Sequence, residues 1–408
     1  MKEKLFGLLI NLGYLEHYLI AQKTLIDKIS NNFEKFVIID SSKIYHFPKN
    51  TFLDWFRYSN KSFDIGKLKE KIPSNFVIFQ PENLKEFEDF ISKKDLILID
   101  NIEYQFHFFK IFMLIKKYNI KQIILSNISN NASFGRLKLI EHLNFFFRKT
   151  LSLKLYKLLC MTNFFKQVDI RFDCNRKLFT YWNESRKKKK FFISNNNYIK
   201  EFILVNSRTY DRYHDIDSKK TDDYIVLIDA NVNHYEDVAM RGKLSEEKIV
   251  EHYKLLEEFL IRLSNIYNKE VVVCIHPQYD LNETKNRFRK FKVFKGRTEE
   301  FIYKSSIVVL YESTMILDAF FLRKNIIVLK PDFPYLSPGS RYNELYLLPY
   351  LDLKNKENAN LNKNILDKSF LTSKKKYDEF ILSHVKADNS DEAGTDKIIR
   401  IIKEKYFN

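Results

Sequence analysis

Val271-Val272-Val273-Cys274-Ile275-His276-Pro277 is the stretch on which the fold reading turns. Its five leading residues form a continuous apolar run rich in β-branched side chains, the pattern of a fully buried parallel strand. The run ends directly in His276-Pro277. Proline fixes φ and keeps the following chain out of helix, which holds the histidine at the strand end. In open α/β sheets that end is where ligands bind.

Working outward, the same alternation continues on both sides. Strand Tyr224–Asp229 precedes a helix from about Ser245 to Tyr267, and strand Lys292–Phe294 leads into helix Thr298–Lys304. Strand Ser306–Leu310, helix Met315–Leu322 and strand Asn325–Leu329 complete the set. The first third repeats the arithmetic, with strands expected at Leu5–Ile10, Phe36–Asp40, Asn75–Gln80, Asp95–Asp100 and Gln122–Ser126. Helical stripes fill the gaps at Tyr14–Ile29 and Tyr104–Tyr118. Strands alternating with helices build largely parallel sheets. The expectation is an α/β chain of two Rossmann-like domains facing a central cleft, spanning 1–200 and 201–390. A last helix, Lys397–Tyr406 with Thr395 as its N-cap, would make 391–408 a segment packing back on the first domain.

The strand ends carry the chemistry. An imidazole at His276 can donate to a phosphate oxygen. Glu312-Ser313-Thr314 follows strand Ser306–Leu310 and opens a helix, so its two hydroxyls can cap that helix or donate to an anion. Lys295-Gly296-Arg297-Thr298 closes the short strand, and a glycine there lets backbone approach a ligand, although the segment also serves as a plain β-α turn. Asp229 ends its strand and opens a polar loop with Asn231 and His234 at the rim. In the N-terminal half, Gly13-Tyr14 with Glu16 and His17 follows the first strand and could supply a general base across the cleft.

Those segments resemble the C-terminal domain of GT-B-type glycosyltransferases of bacterial surface polysaccharide (capsule and lipopolysaccharide) synthesis. The matching runs are VLIDANVNHYEDV (226–238), VVVCIHP (271–277), KVFKGRTEEFIYKSSIVVLYEST (292–314) and FFLRKNIIVLK (320–330), within a span, Tyr224 through Leu329, of about a quarter of the chain. Similar His-Pro and Ser/Thr pairs occur in bacterial sialyltransferases, Kdo transferases and CDP-polyol phosphotransferases. The resemblance implies His276, Ser313 and Thr314 as donor-phosphate contacts; Pro277, Gly296, Arg297, Thr298 and Glu312 are expected beside them in donor binding, the Gly296 loop being of the kind that holds a nucleoside base. It also implies a nucleotide-sugar donor, with a CMP-linked one favoured, and a saccharide or lipid-linked acceptor. No cofactor and no metal are expected. The first loop departs from the pattern, with Tyr235-Glu236-Asp237 where a proline before the acidic residue is usual.

Charge supplies the remaining clue. Lys+Arg 69 against Asp+Glu 52 leaves +17 in 408 residues, and 136–190 alone carries fifteen Lys/Arg against four Asp/Glu. About two-thirds of the excess thus lies in one segment, whose first part, Arg136–Leu159, reads as a basic aromatic helix. The polar stretch after it reads as a linker or domain-crossing zone. Such a segment can dip into an anionic inner-membrane surface; equally, its aromatics can be core with only the lysines outside. The apolar runs fall far short of the roughly 20 residues of a membrane span. The start of the chain lacks a small-residue cleavage site, so a cytoplasmic protein, peripheral at the inner membrane, is expected. Three cysteines without a C-x-x-C pair exclude a disulfide framework. A polyol-phosphate transferase or a sugar-nucleotide epimerase on the same scaffold, and a basic nucleic-acid-binding protein, are the competing classes. The last lacks any helix-turn-helix, RRM, KH or zinc signature.

Overall fold

The computed structural model of the chain describes residues 2–10, 22–41, 43–44, 72–101, 108–126, 152–187, 198–214, 223–229, 245–275, 281–311, 313–330, 346–355 and 362–408. The first half runs β1 (Glu3–Ile10), α1 (Lys23–Asn32), β2 (Phe36–Asp40), β3 (Phe76–Phe79), α2 (Leu84–Ser92), β4 (Lys94–Asp100), α3 (Phe109–Lys117) and β5 (Lys121–Ser126). It continues with α4 (Ser152–Met161), β6 (Val168–Asp173), α5 (Arg176–Lys187), β7 (Ile199–Leu204) and α6 (Arg208–Tyr213). The second half runs β8 (Tyr224–Asp229), α7 (Glu246–Tyr267), β9 (Glu270–Ile275), α8 (Leu281–Arg287), β10 (Lys292–Lys295), α9 (Thr298–Lys304) and β11 (Ser305–Leu310). It ends with α10 (Ile316–Phe321), β12 (Asn325–Lys330), β13 (Tyr350–Asp352), α11 (Lys363–Lys374), α12 (Tyr377–His384) and α13 (Gly394–Tyr406).

These elements form two units. One comprises Met1–Ser129, Leu139–His214 and Lys386–Asn408; the other comprises Asn130–Lys138 and Asp215–Val385. Among the described residues each unit holds one sheet whose strands all pair in parallel. The orders are β3-β2-β1-β4-β5-β6-β7 and β10-β9-β8-β11-β12-β13. Both follow the doubly wound pattern in which strand order reverses beside the first strand.

In the first unit, period-2 alternation sorts β1 onto two layers. Phe6, Leu8 and Ile10 join one buried cluster with α1 and α13, while Leu5 and Leu9 join another with α2, α3 and α4. The C-terminal segment belongs to this unit. Ile398, Ile399 and Ile402 of α13 pack with Leu25, Ile26 and Ile29 of α1. Its cap is not Thr395: the helix starts at Gly394, and the Asp211 carboxylate accepts from the N–H groups of Gly394 (2.5 Å) and Thr395 (2.9 Å). A Cβ at Gly394 would meet the Asn206 carbonyl oxygen at 2.0 Å, so no larger residue fits without moving the chain.

Of the polar stretch expected as a linker after Leu159, with Arg186–Lys190 and Asn195–Asn197, residues 188–197 lie outside the described residues; the described parts on either side supply β6 and β7, the last two strands of the first sheet. The first unit runs to His214 and resumes at Lys386. β6 buries charge with its partners. Lys166 Nζ donates to Asp169 Oδ2 (2.6 Å), Lys200 Nζ to Asp169 Oδ1 (2.9 Å), and the Gln122 N–H to Asp169 Oδ2 (2.9 Å). Arg171 donates to Asp173 from Nε (3.0 Å) and Nη2 (2.6 Å). The expected basic helix is described only as α4, because 127–151 lie outside the described residues. There Tyr156 and Cys160 are core, as is Phe165 just beyond it, whereas Leu158 and Phe164 are exposed.

In the second unit the strands are hydrocarbon runs. Ile225, Leu227, Val271, Val273 and Ile275 pack under α7 through Ile249, Tyr253, Leu256 and Leu260. Phe320 of α10 stacks on Phe380 of α12, ring centroids 4.0 Å apart. Among the described residues no helix is long and apolar enough to cross a membrane.

Candidate functional site

The carboxyl edge of the second sheet gathers several of the residues singled out from sequence. Parallel register places Asp229, the last residue of β8, opposite Ile275 of β9, and Ile275 opposite Lys295 of β10. On the other side Ile228 pairs with Leu310 of β11. β8 and β11 are neighbours across the reversal of strand order, the position at which doubly wound sheets open a crevice. Asp229 and the segment after β11 therefore share one rim.

Asp229 is only 3% exposed, so it is set into the end of β8 rather than standing out from it. After β11, Tyr311 is buried, Ser313 half-buried and Thr314 exposed. The Met315 N–H donates to Ser313 Oγ (3.3 Å), while the Ile316 and Leu317 N–H groups reach the Ser313 and Thr314 carbonyls (3.1 and 3.2 Å). Ser313 thus organises the turn into α10. That helix has six residues, so its dipole is small and the hydroxyls themselves are the useful donors.

Next to β9, Gly296 has φ +73°, a left-handed conformation that disfavours other residues, and nothing lies within 4 Å of the place a Cβ would take. Arg297 is engaged locally. Nε and Nη2 each donate to Glu300 at 2.7 Å, and the guanidinium lies 5.1 Å from the ring centroids of both Phe294 and Phe301. Hydrogen bonds from Arg297 and then Lys304 hold the Glu300 carboxyl down at about 2. Thr298 opens α9, and on β9 burial pushes the Cys274 thiol up to about 12. A thiol that resistant to ionisation is a packing residue.

Gly13, Tyr14, Glu16, His17, Asn231, His234, His276, Pro277 and Glu312 lie outside the described residues. His276 follows Ile275 in the chain, and Glu312 precedes Ser313.

Sequence reading missed a polar pair beneath the rim. The Tyr311 hydroxyl and His252 Nε2 are 2.9 Å apart, both residues almost fully buried. The pair links α7 to the residue from which the Glu312-Ser313-Thr314 segment departs. Only the place of His252 beside Ile249, Tyr253 and Leu256 on the buried face of α7 hinted at it.

No family model matches the sequence, and no curated protein matches it. Solved structures do. A variant of the wall teichoic acid polymerase TagF aligns with TM-score 0.50 and 14% identity over 100% of this chain and 90% of its own. A Listeria monocytogenes protein described as a UDP-N-acetylglucosamine 2-epimerase gives 0.47 and 13%, over 100% of this chain and 98% of its own. Acinetobacter baumannii MurG gives 0.44 and 8%, over 98% and 99%. Of these three, the TagF variant reaches 0.5, and at this identity it speaks to fold alone. Together with the two parallel doubly wound sheets, that likeness makes the chain an α/β protein of GT-B-like fold.

Proposed function

We propose that the chain is a metal-independent glycosyltransferase that moves a sugar from a nucleotide-sugar donor, CMP-linked by preference, to a saccharide or lipid-linked acceptor of a surface polysaccharide. The observation that carries this reading is the shared rim of Asp229 and Ser313-Thr314 across the strand reversal of the second sheet. The chemical difficulty of glycosyl transfer is the negative charge that grows on the leaving nucleotide phosphate. Donors held in place before reaction stabilise that charge without reorganising, and losing one costs about 2.7–4 kcal/mol in the transition state. Ser313 and Thr314 would supply hydroxyls, and His276, next in the chain after β9, would supply an imidazole. The left-handed Gly296 leaves open space for a nucleoside, with Thr298 beside it. Arg297, tied to Glu300, shapes that turn rather than reaching for phosphate. Glu16 or His17 would act as base on the acceptor hydroxyl.

Transfer of a polyol phosphate from a CDP-linked donor on the same scaffold is the second reading. It asks the same donors to hold the same kind of phosphate.

Thermal-shift titration with CMP-, CDP-, UDP- and GDP-linked donors tests both. A rise in melting temperature with one nucleotide class is expected, and CDP-glycerol or CDP-ribitol as the sole hit selects the second reading. With that donor, His276→Ala lowers turnover about a hundredfold or more while the melting temperature of the unliganded protein stays put. A chain that none of the four classes stabilises is not a nucleotide-sugar enzyme.

A peripheral location on an anionic membrane belongs to the same proposal. Exposed Leu158, one turn after exposed Lys154 on α4, and exposed Phe164 just past that helix offer apolar and basic surface.

A further inference from the structure

The first unit holds a recess at the end of its sheet where ligands of doubly wound folds are not usually found. It lies where β5, β6 and β7 begin, encloses about 430 Å³, and is lined by Lys116, Lys166, Lys200, Asn119, Asn163 and Gln167. That volume falls in the range of small-molecule sites, roughly 300–1,000 Å³. We propose that this recess is a binding site for a phosphate group, carried by a soluble phosphorylated molecule or by a lipid headgroup.

Three observations support it. The first is unbalanced charge. Three ammonium groups line the recess, Lys121 adds a fourth within reach of Lys166, and Asp169 is the carboxylate that acts on Lys166. Asp169 already accepts from Lys166, Lys200 and the Gln122 N–H, so both its oxygens are engaged. Burial first, and then Lys121 and Lys200, pull Lys166 below the ordinary lysine range despite Asp169. A bound anion would relieve that repulsion.

The second observation is preorganisation. Lys116 Nζ donates to the Asn163 carbonyl and Lys166 Nζ to the Ile120 carbonyl, 2.5 Å away. Long side chains anchored in this way lose less entropy when a ligand arrives. The third is the pair of asparagines. Asn119 (φ 51°) and Asn163 (φ 57°) both adopt the left-handed conformation just past the ends of α3 and α4, and both residues line the recess. Ammonium groups act on phosphate as point charges, and amides can donate to its remaining oxygens. The recess exceeds a bare phosphate, leaving room for the group that carries it.

The test is calorimetric titration of the full chain with inorganic pyrophosphate at low salt, repeated in His276→Ala to set aside the donor site. Saturable binding is expected in both, weakened about tenfold by Lys200→Gln and again by Lys116→Gln, the loss of one charge-assisted bond each. Both substituted residues are partly solvent-exposed, and an unchanged melting temperature without anion verifies the fold. Co-sedimentation with phosphatidylglycerol against phosphatidylcholine vesicles separates the sources. Vesicle binding lost in the lysine variants and competed by pyrophosphate selects a headgroup, and pyrophosphate binding without vesicle binding selects a soluble ligand. Absence of saturable pyrophosphate binding, or binding indifferent to both lysines, overturns the site, and the lysines then only cap the neighbouring carbonyls.

Discussion

The two sheets share one strand order over six strands, the first adding a seventh, yet β6 of the first is held in place by different means from the strands of the second. In the second unit, β8, β9, β11 and β12 bury Val, Ile and Leu almost exclusively. In the first, β6 carries Asp169, Arg171 and Asp173 within six residues and still pairs with both neighbours. Hydrophobic burial is non-directional and degrades gradually with lost area. A buried charge is held by particular atoms, and removing one partner leaves the other in a medium that cannot solvate it. One topology is thus reached by two kinds of force, one tolerant and one brittle.

The largest effect should come from breaking the brittle strand. Asp169→Leu leaves the Lys166 ammonium buried without its carboxylate and is expected to cost about 3–5 kcal/mol, read as a fall in the urea midpoint. The double variant Lys166→Met/Asp169→Leu should recover most of that loss; failure to recover would mean that packing rather than charge holds β6. In the tolerant sheet, Leu227→Ala should cost about 2–5 kcal/mol, and Leu227→Met under about 1.5 kcal/mol. A similar cost for both would contradict the graded behaviour claimed for β8. Tyr311→Phe tests a polar contact inside that apolar setting. It removes the partner of His252 Nε2 and should cost about 1–3 kcal/mol, with His252→Phe/Tyr311→Phe milder than the sum of the two singles.

The smallest expected effect is a slope in pH. Burial raises the Asp169 pKa, but the hydrogen bond and charge of Lys166, the Gln122 N–H and Lys200 outweigh it, leaving the group below its ordinary 3.8. Its stabilisation is fully present above that ordinary value and disappears as pH falls through the lower, folded one. Asp173 runs the other way. Burial dominates over Arg171, its pKa lies above 3.8, and its contribution is present below that value and lost as pH rises through the folded one. Stability measured from about pH 4 downward should therefore fall less steeply in Asp169→Asn than in the parent chain. Parallel curves would show that Asp169 does not set the acid limb.

This contrast also explains what could be read from the chain alone. Uninterrupted runs such as Val271–Ile275 and Ile307–Leu310 announce themselves, and the residues at their ends follow, which is why Asp229, Ser313 and Thr314 were legible as a group. β6 and β7 were not, because their polar residues look solvated until Lys166, Lys200 and Gln122 are brought to them from other elements. The cap of α13 was equally hidden. The hydroxyl of Thr395 beside the helix start is an ordinary local signal, whereas Asp211 reaches the same N–H groups from a distant part of the chain. β13, three residues long, carries too little pattern to be distinguished from a loop. The pairing of Arg297 with Glu300, one helical turn on, was not singled out because that spacing also fits an ordinary surface pair.

The return of Lys386–Asn408 to the unit that opens the chain bears on how the protein is made. Ribosomes release residues in order, and domains generally fold as they emerge. Asp215–Val385 is complete before α13 exists, so the later-encoded unit can finish folding while the apolar face of α1 still waits for Ile398, Ile399 and Ile402. The part synthesised first is the part completed last, and a nascent chain stalled near residue 385 would present that uncovered face to chaperones.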